Sequence, residues 1–451
     1  MSGGIWTSQN KPLPGVYINV KSQGSVSANV GDRGRVAIAE PLSWGPTRTV
    51  QEITPGEDVT PFIGYDITSE KALFLREMMK GSDTTPGPSR ILLYRPEGTG
   101  GVKASATIGQ LTVTALYTGI RGNDITVVVS EEPDAGGSYT VKTVIDGTEK
   151  DSQTITDLSK LVANAWVSFS GTGTTVEETA GTALTGGTDP TVAAADYAAF
   201  LTAIEPYQFD ILVYDGTDAT TIQAFAAFAQ RVSNSIGKKC QAVMAGETAA
   251  ASNSEFVIAV NNGVTLTDGT QLTAQQAAWW LGGAEAGAMY NDSLTYAQYP
   301  GALEANPKLT EDQAAEAVQS GKICFIDTFG VVKVCTDINT LTTFTPEKGQ
   351  EFSKNRIMRV LMQFCNDVYE NFSSNYIGKT DNNENGRNLL KGWIIGYLNE
   401  MQANNGIQNF TAEDVTVLPG NSVDSVVINA AVQPVDSIEK IYMTVTVIAN
   451  E

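Results

Sequence analysis

The sequence predicts an α/β core interrupted by a β-rich insertion, followed by an α+β C-terminal domain, with an extended arm at each end. Three observations predict this. Short, continuously apolar strands alternate with helical segments before residue 98 and again after residue 189, as in a mostly parallel sheet covered on both faces. Between those points the chain turns to Thr, Ser, Gly and Val in alternation, bounded by Gly98-Thr99-Gly100-Gly101 and Gly186-Gly187, the pattern of an inserted β domain. Finally, both ends place apolar residues at every second position: Val16, Ile18 and Val20 beside Tyr17, then Ile441, Met443, Val445 and Val447. A period of two is the strand signal.

A chain of 451 residues exceeds one ordinary core, so two to four domains are expected. Residues 1–20 read as an arm, because Pro12 and Pro14 exclude a helix. The core is expected over 21–97 and 190–345. It opens with strands at Val26–Val30 and Val36–Ala39, a helix at Thr68–Lys80 capped by Ser69, and a strand at Arg90–Arg95. The insertion, 98–189, carries strands at Gln110–Ala115, Asp124–Val129, Ser138–Val141 and Trp166–Phe169. The core resumes with a helix at Val192–Ile204, a strand at Phe209–Tyr214, and a helix through Ile222, Phe225, Ala229 and Val232. Strands at Cys240–Ala245 and Phe256–Val260 come next. A helix at Thr273–Tyr290 follows, in which Gly282, Gly283 and Gly287 permit close packing despite their propensity cost. A hairpin flanks Gly330. The C-terminal domain, 346–440, has helices at Asn355–Phe372 and Gly386–Asn404, then strands at Val415–Leu418 and Ser425–Asn429. Residues 441–451 form the second arm. Each end strand either completes an edge of its own domain or, with unpaired backbone groups, pairs with another chain.

Composition excludes more than it assigns. A net charge of −21 opposes direct nucleic-acid binding, which needs basic patches. With no histidine, Ser-His-Asp and Cys-His catalysis, imidazole metal ligation and a histidine switch are excluded. No phosphate loop is present, no apolar run is long enough to span a membrane, and no secretion signal opens the chain. Cytosolic synthesis is therefore expected. Cys240, Cys324, Cys335 and Cys365 lack C-x-x-C spacing and read as buried thiols. Asp381–Gly386 imitates the start of a calcium loop, but Gly392 stands where its bidentate carboxylate is needed. A capping turn between helices is the better reading. Trp279-Trp280 reads as core before ligand platform. Arg356, Arg359, Arg387 and Lys391 lie on helices of an acidic chain. They read either as solvated faces with local ion pairs or as contacts to an acidic inner partner on the concave side of a ring. No catalytic, cofactor or metal residue is assigned.

Four segments in order resemble the contractile tail sheath proteins of phages and phage-tail-like bacteriocins: Pro14-Gly15-Val16-Tyr17, Gly119-Ile120-Arg121-Gly122-Asn123-Asp124-Ile125, Leu184–Asp189 with Tyr197 and Phe200-Leu201, and Pro434–Lys440. The resemblance covers nearly the whole chain. It implies a subtilisin-like α/β core without proteolysis, and hexameric rings stacked as a helical sheath around an inner tail tube. It also implies baseplate and tail terminator partners, and arms that join sheets of neighbouring subunits. Assembly into a phage tail or phage-tail-like particle in a bacterial cytoplasm, and contraction driving the tube through an envelope, follow from the same resemblance. One chain with both arms argues against two-protein sheaths. A different self-assembling shell, or a hydrolase on the α/β core, are the alternatives.

Overall fold

The computed structural model describes residues 30–31, 33–132 and 137–447, and the backbone of 2–4 and 15–17. The chain divides into two compact units: 31–369 with 434–451, and 1–30 with 370–433.

The first unit is built on a seven-stranded sheet. Its order is Lys322–Ile323, Val257–Val260, Gln241–Ala245, Ile211–Val213, Arg35–Ala39, Arg90–Tyr94 and Val50–Ile53. Six strands are parallel and the Val50–Ile53 edge is antiparallel. Alternate residues of a strand face opposite sides of a sheet. Val36, Ile38, Ile211, Val213 and Val243 thus enter one core with the helix Ala274–Gly287. Ala37, Ala39, Leu212, Ala242 and Met244 enter the other, with Phe200, Phe225 and Phe228 of the helices Ala194–Ile204 and Ala219–Arg231. Continuous apolar strands are what two covered faces require.

The helix Ala274–Gly287 starts with a capping box, in which the Gln276 N–H donates to Thr273 Oγ1 and the Thr273 N–H to Gln276 Oε1. Its glycines act as expected. A Cβ on Gly282 would sit 2.3 Å from Val213 Cγ2, and one on Gly283 would sit 1.8 Å from the Met78 carbonyl oxygen. Trp279 and Trp280 are core residues, the latter stacked on Tyr299 at 4.1 Å.

The insertion is a β-sandwich. One sheet orders Val167–Ser170, Leu111–Thr118 and Lys103–Ile108, and the other orders Thr148–Ile155, Tyr139–Ile145, Ile125–Glu131 and Thr179–Ala183. Val113, Ile125, Val127, Val141 and Val167 fill it, and Trp44 caps it against Trp166. The Gly119–Asp124 turn ties the sandwich to the sheet. Gly119, at φ 129°, passes so close to the Ser43 carbonyl that any Cβ would collide with it at 2.0 Å. Asn123 exchanges hydrogen bonds with the backbone of Gly187 at 2.8 and 2.9 Å. Arg121 donates to the Gly64 carbonyl at 2.7 Å and pairs with Asp146 at 2.6 Å.

In the second unit, the helix Glu384–Ala403 begins at Asn383, whose side chain accepts from the Gly386 N–H at 2.9 Å. The calcium-loop mimic is therefore an N-cap. Trp393 meets Phe372 and Tyr397 at 5.5 and 5.3 Å. Val415–Pro419 and Val426–Ala430 form a hairpin. Ser2–Gly4 pairs in parallel with Gly15–Tyr17.

Several expectations change. The Thr68–Lys80 segment is a 3₁₀ turn, Glu70–Ala72, followed by the helix Leu73–Met79. The expected strand Ile441–Ile448 is not one within this chain. Among the described residues no ladder includes 435–447, because its backbone has no strand beside it. Ile448 lies outside the described residues, as do Ile18, Val20 and 26–29. The edge Val50–Ile53, the helix Glu311–Gln319 and a small sheet of Gly263–Leu266, Gln271–Leu272 and Ala302–Asn306 are additions that the sequence pattern does not announce.

Candidate functional site

A crevice at the carboxyl ends of parallel strands is where an α/β fold places a small-molecule site. Here Glu40 follows Arg35–Ala39 and Asp215 follows Ile211–Val213, at the point where strand order reverses. The cavity beside them, about 360 Å³, is lined by Glu40, Tyr65, Lys71, Phe74 and Trp279 among others. Trp279 Nε1 donates to Asp215 Oδ2 at 2.9 Å. Burial, then the neighbouring Asp215, pushes the Glu40 carboxyl well above the ordinary carboxylate range. Burial raises Asp215 as well. Glu40 is buried and Asp215 partly so, and burial together with the neighbouring carboxyl favours the neutral acid at Glu40. The crevice serine, Ser43, donates to Asp189 at 3.0 Å, on the sandwich junction.

This pair makes stability fall with rising pH. A folded-state pKa raised above the unfolded one means that the folded chain keeps a proton which the unfolded chain releases. The associated stability is complete below the ordinary carboxylate pKa and declines as pH climbs toward the raised one. Glu40→Gln imitates the protonated acid, so its melting temperature should exceed that of the parent at pH 8 and match it near pH 4. Calorimetry across that range checks this, and a Glu40→Gln variant with unchanged pH dependence would contradict it.

The chain ends carry the other candidate residues. Val16 and Tyr17 lie in the parallel pair with Gly3 and Gly4. At the far end, Ile441, Met443, Val445 and Val447 are between 74% and 89% exposed. The residue where this tail leaves the core behaves differently. The Glu439 side chain is only 13% exposed. Its carboxylate pairs with Lys354 and accepts from Thr295 Oγ1 at 2.7 Å. That same Thr295 oxygen accepts the Asp337 N–H at 2.9 Å.

Asp337 leads into a fully buried charge cluster. Arg359 is 0% exposed. It donates to Asp337 Oδ2 at 2.5 Å, to Glu285 Oε2, and to the Asp292 carbonyl at 2.8 Å. Burial, then the adjacent Asp337, pushes Glu285 well above the carboxylate range. Burial opposes the ionisation of Asp337, but Arg359, Glu285 and the Leu294 N–H outweigh it and hold Asp337 low. Asp337 is thereby favoured as the ionised partner of Arg359, and Glu285 as the neutral one. Arg359 cannot face a partner, and the expected tube contact at this residue is corrected. A polar stripe at i, i+4, i+8 and i+12 (Asn355, Arg359, Gln363, Asp367) turns inward because each member finds a buried partner. Of the other cations, Arg356 is half-buried with its Nε unpartnered. Arg387 is half-buried and donates to Asn382 Oδ1 at 2.9 Å, and Lys391 is half-buried.

All four cysteines are free, with Cys240 and Cys324 buried. Among the described residues, no cluster of three or more Cys, Asp or Glu is placed to hold a metal ion, and no helix is long and apolar enough to cross a membrane.

Comparison with known proteins accounts for this arrangement of sheet, sandwich and tail. The phage tail sheath C-terminal domain matches residues 347–448, the central domain 191–340, the beta-sandwich domain 99–189, and a tail sheath domain III N-terminal region 33–85. The crystal structure of a sheath tail protein from Desulfitobacterium hafniense is 43% identical, with a TM-score of 0.85 over 95% of this chain and 99% of that one. A protein of the phage-like element PBSX of Bacillus subtilis is 35% identical over 99% of this chain and 100% of its own length. The chain belongs to the phage tail sheath family. Tail sheath families are structural, so the Glu40–Asp215 pair is part of a scaffold and not an active site. The anti-feeding prophage helical sheath in its contracted state shares the sheath fold, with a TM-score of 0.58 at 13% identity over 97% of this chain and 99% of that one.

Two of the four sheath motifs noted in the sequence meet in space. The Ile120 N–H donates to Asp189 Oδ1 at 2.9 Å, so Gly119–Ile125 and Leu184–Asp189 form one junction. Within Pro434–Lys440, Glu439 is the anchored member. Sequence reasoning misses Lys354, Thr295, Gln363 and Asp367. The four-residue spacing of polar side chains from Asn355 to Asp367 is the available signal.

Proposed function

We propose that this chain is the repeating subunit of a contractile sheath, made in a bacterial cytoplasm and stacked as hexameric rings around an inner tail tube between baseplate and terminator proteins. Contraction drives the tube through an envelope. The single observation that carries this reading is the tail from Ile441 to Val447, whose apolar side chains stand exposed at alternate positions on a sheath-family fold. Such a segment is a donor strand, held by backbone hydrogen bonds to an open sheet edge and by side chains on alternate positions. The N-terminal arm, through Val16, Tyr17, Ile18 and Val20, is the second link. Links that persist while flat contacts exchange allow a helical polymer to change pitch without coming apart. The anti-feeding prophage sheath, whose contracted state is known, supports contraction by analogy. Arg356, Arg387 and Lys391 remain the proposed cationic contacts to the tube.

Domain limits of 1–20, 21–97 with 190–345, 98–189, 346–440 and 441–451 complete the proposal. The parallel sheet with its helices on both faces supports a subtilisin-type core.

Strand addition is face-specific, which provides the test. Met443→Asp with Val445→Asp should abolish or greatly shorten tubes seen by electron microscopy, while Thr444→Asp with Thr446→Asp on the other face should do less. Full-length tubes from both double variants would overturn the reading.

A further inference from the structure

The roots of the two arms converge on one helix. Asn355–Asn375 begins directly after Lys354, the residue that pairs with Glu439 where the C-terminal tail departs. Three turns further on, Asp367 Oδ2 accepts the N–H of Gly31 at 2.8 Å, and Gln363 Nε2 donates to the Gly31 carbonyl at 3.1 Å. Gly31 is the first residue of the 31–369 unit, the point at which the chain from the N-terminal arm joins it. The contact is close, because a Cβ on Gly31 would lie 2.5 Å from Asp367 Oδ1. Between the two roots, Arg359 fastens the helix to Glu285 and Asp337 in the buried core. Asp337 in turn donates its N–H to Thr295, which holds Glu439 from the other side.

We propose that the helix from Asn355 to Tyr369 is a strut joining the two arms: Asp367 and Gln363 hold the root of the N-terminal arm at Gly31, Lys354 and Thr295 hold the root of the C-terminal arm at Glu439, and Arg359 locks the strut to the core. This rests on the arms being inter-subunit links. Under that reading, tension entering one arm leaves by the other along about 20 Å of helix, at 1.5 Å rise per residue. The load does not cross the parallel sheet. Glu439 and Asp367 are positioning residues. They fix where each arm leaves the core.

Lys354 is held on both sides for this task. It forms a bridge with Ile338, and the Asn355 N–H donates to the Asp337 carbonyl at 3.2 Å. Glu439 is thus met by a backbone already fixed and not by a free lysine. Exposed ion pairs contribute little to stability, but this one is largely shielded, with side chains 21% and 13% exposed. It sits next to Lys440, a tryptic site at the foot of the arm. A protease must draw several residues out of the structure, so cleavage rate reports how firmly the root is held.

The test uses the full chain with two readouts. In the unassembled chain, Glu439→Ala should release residues 441–451 by trypsin at least tenfold faster than the parent, and Asp367→Ala should accelerate cleavage after Arg33 to a similar degree. Melting of the core should be unchanged in the first case. In assembly, each variant should give shorter tubes. The exchange Glu439→Lys with Lys354→Glu should restore both slow cleavage and tube length. Parental cleavage rates in Glu439→Ala and Asp367→Ala would overturn the strut. If instead the arms are not links, removal of residues 441–451 would leave tubes intact whatever the cleavage rates, so the two failures are distinguishable.

Discussion

Arg359→Ala should destabilise the 31–369 unit by about 3–5 kcal/mol, the cost of breaking a buried ion pair from one side. The guanidinium is the sole positive partner in contact with Asp337 and Glu285 among the described residues, all three side chains being at most 1% exposed. Without it, the ionised Asp337 is left in the interior and must either take up a proton or draw in water, and both are costly. Arg359→Lys keeps the charge but not the planar fork that reaches Asp337, Glu285 and the Asp292 carbonyl together, so it should fall between the parent and alanine. Replacing Arg359, Glu285 and Asp337 together with Met, Met and Leu should recover much of the loss, since apolar isosteres of a buried ionic cluster are often neutral. Denaturant unfolding followed by the fluorescence of Trp44, Trp166, Trp279 and Trp280 reads these differences. An alanine variant with the parental midpoint would mean that the cluster is not a fastening point for the helix.

Removing residues 441–451 should leave the core folded and eliminate long polymers. The tail contributes no ladder to its own chain among the described residues, and the apolar side chains from Ile441 to Val447 are already in water, so losing them exposes nothing new. In a polymer the same segment would make several backbone hydrogen bonds, each net about 0.5–1.5 kcal/mol, with cross-strand pairs of about 0.2–1 kcal/mol. A link summing to even ~4 kcal/mol multiplies the concentration needed for assembly by roughly a thousand when it is lost, since every 1.4 kcal/mol is tenfold. The subunit's charge of −21 adds repulsion that the link must outweigh, so low salt should deepen the defect. The melting temperature of the truncated chain should equal that of the full one.

The large elements are legible because burial on both faces leaves a plain trace. Val36–Ala39, Ile211–Val213 and Val257–Val260 are apolar at every position, and their shortness and β-branched content mark them as strands buried on both faces. The sandwich is legible from alternation and its glycine borders. What the sequence hides is polar. Val50–Ile53 carries Gln51 and Glu52 on an antiparallel edge and breaks the apolar pattern. Arg359 reads as part of a solvated face because hydrophobic periodicity scores an arginine as surface, whatever partners the fold brings to it. Glu285 and Asp337 stand 74 and 22 residues away, and no local pattern links them. Glu439 lies within the Pro434–Lys440 motif, yet its socket needs Thr295, 144 residues earlier. The strand pattern at the C-terminal end misleads for the opposite reason. Alternation marks a strand-forming segment but cannot say that, among the described residues, no strand of the chain lies beside it.

The most direct measurement is a cryo-electron microscopy map of the polymer formed by the full chain, with the chain lacking 441–451 on parallel grids. Tubes are expected only from the full chain, and in their map Ile441–Val447 laddered onto the sheet edge of an adjacent subunit, with Glu439 still seated between Lys354 and Thr295 of its own. Tubes from both chains, or a map with the tail folded back on its own subunit, would contradict it.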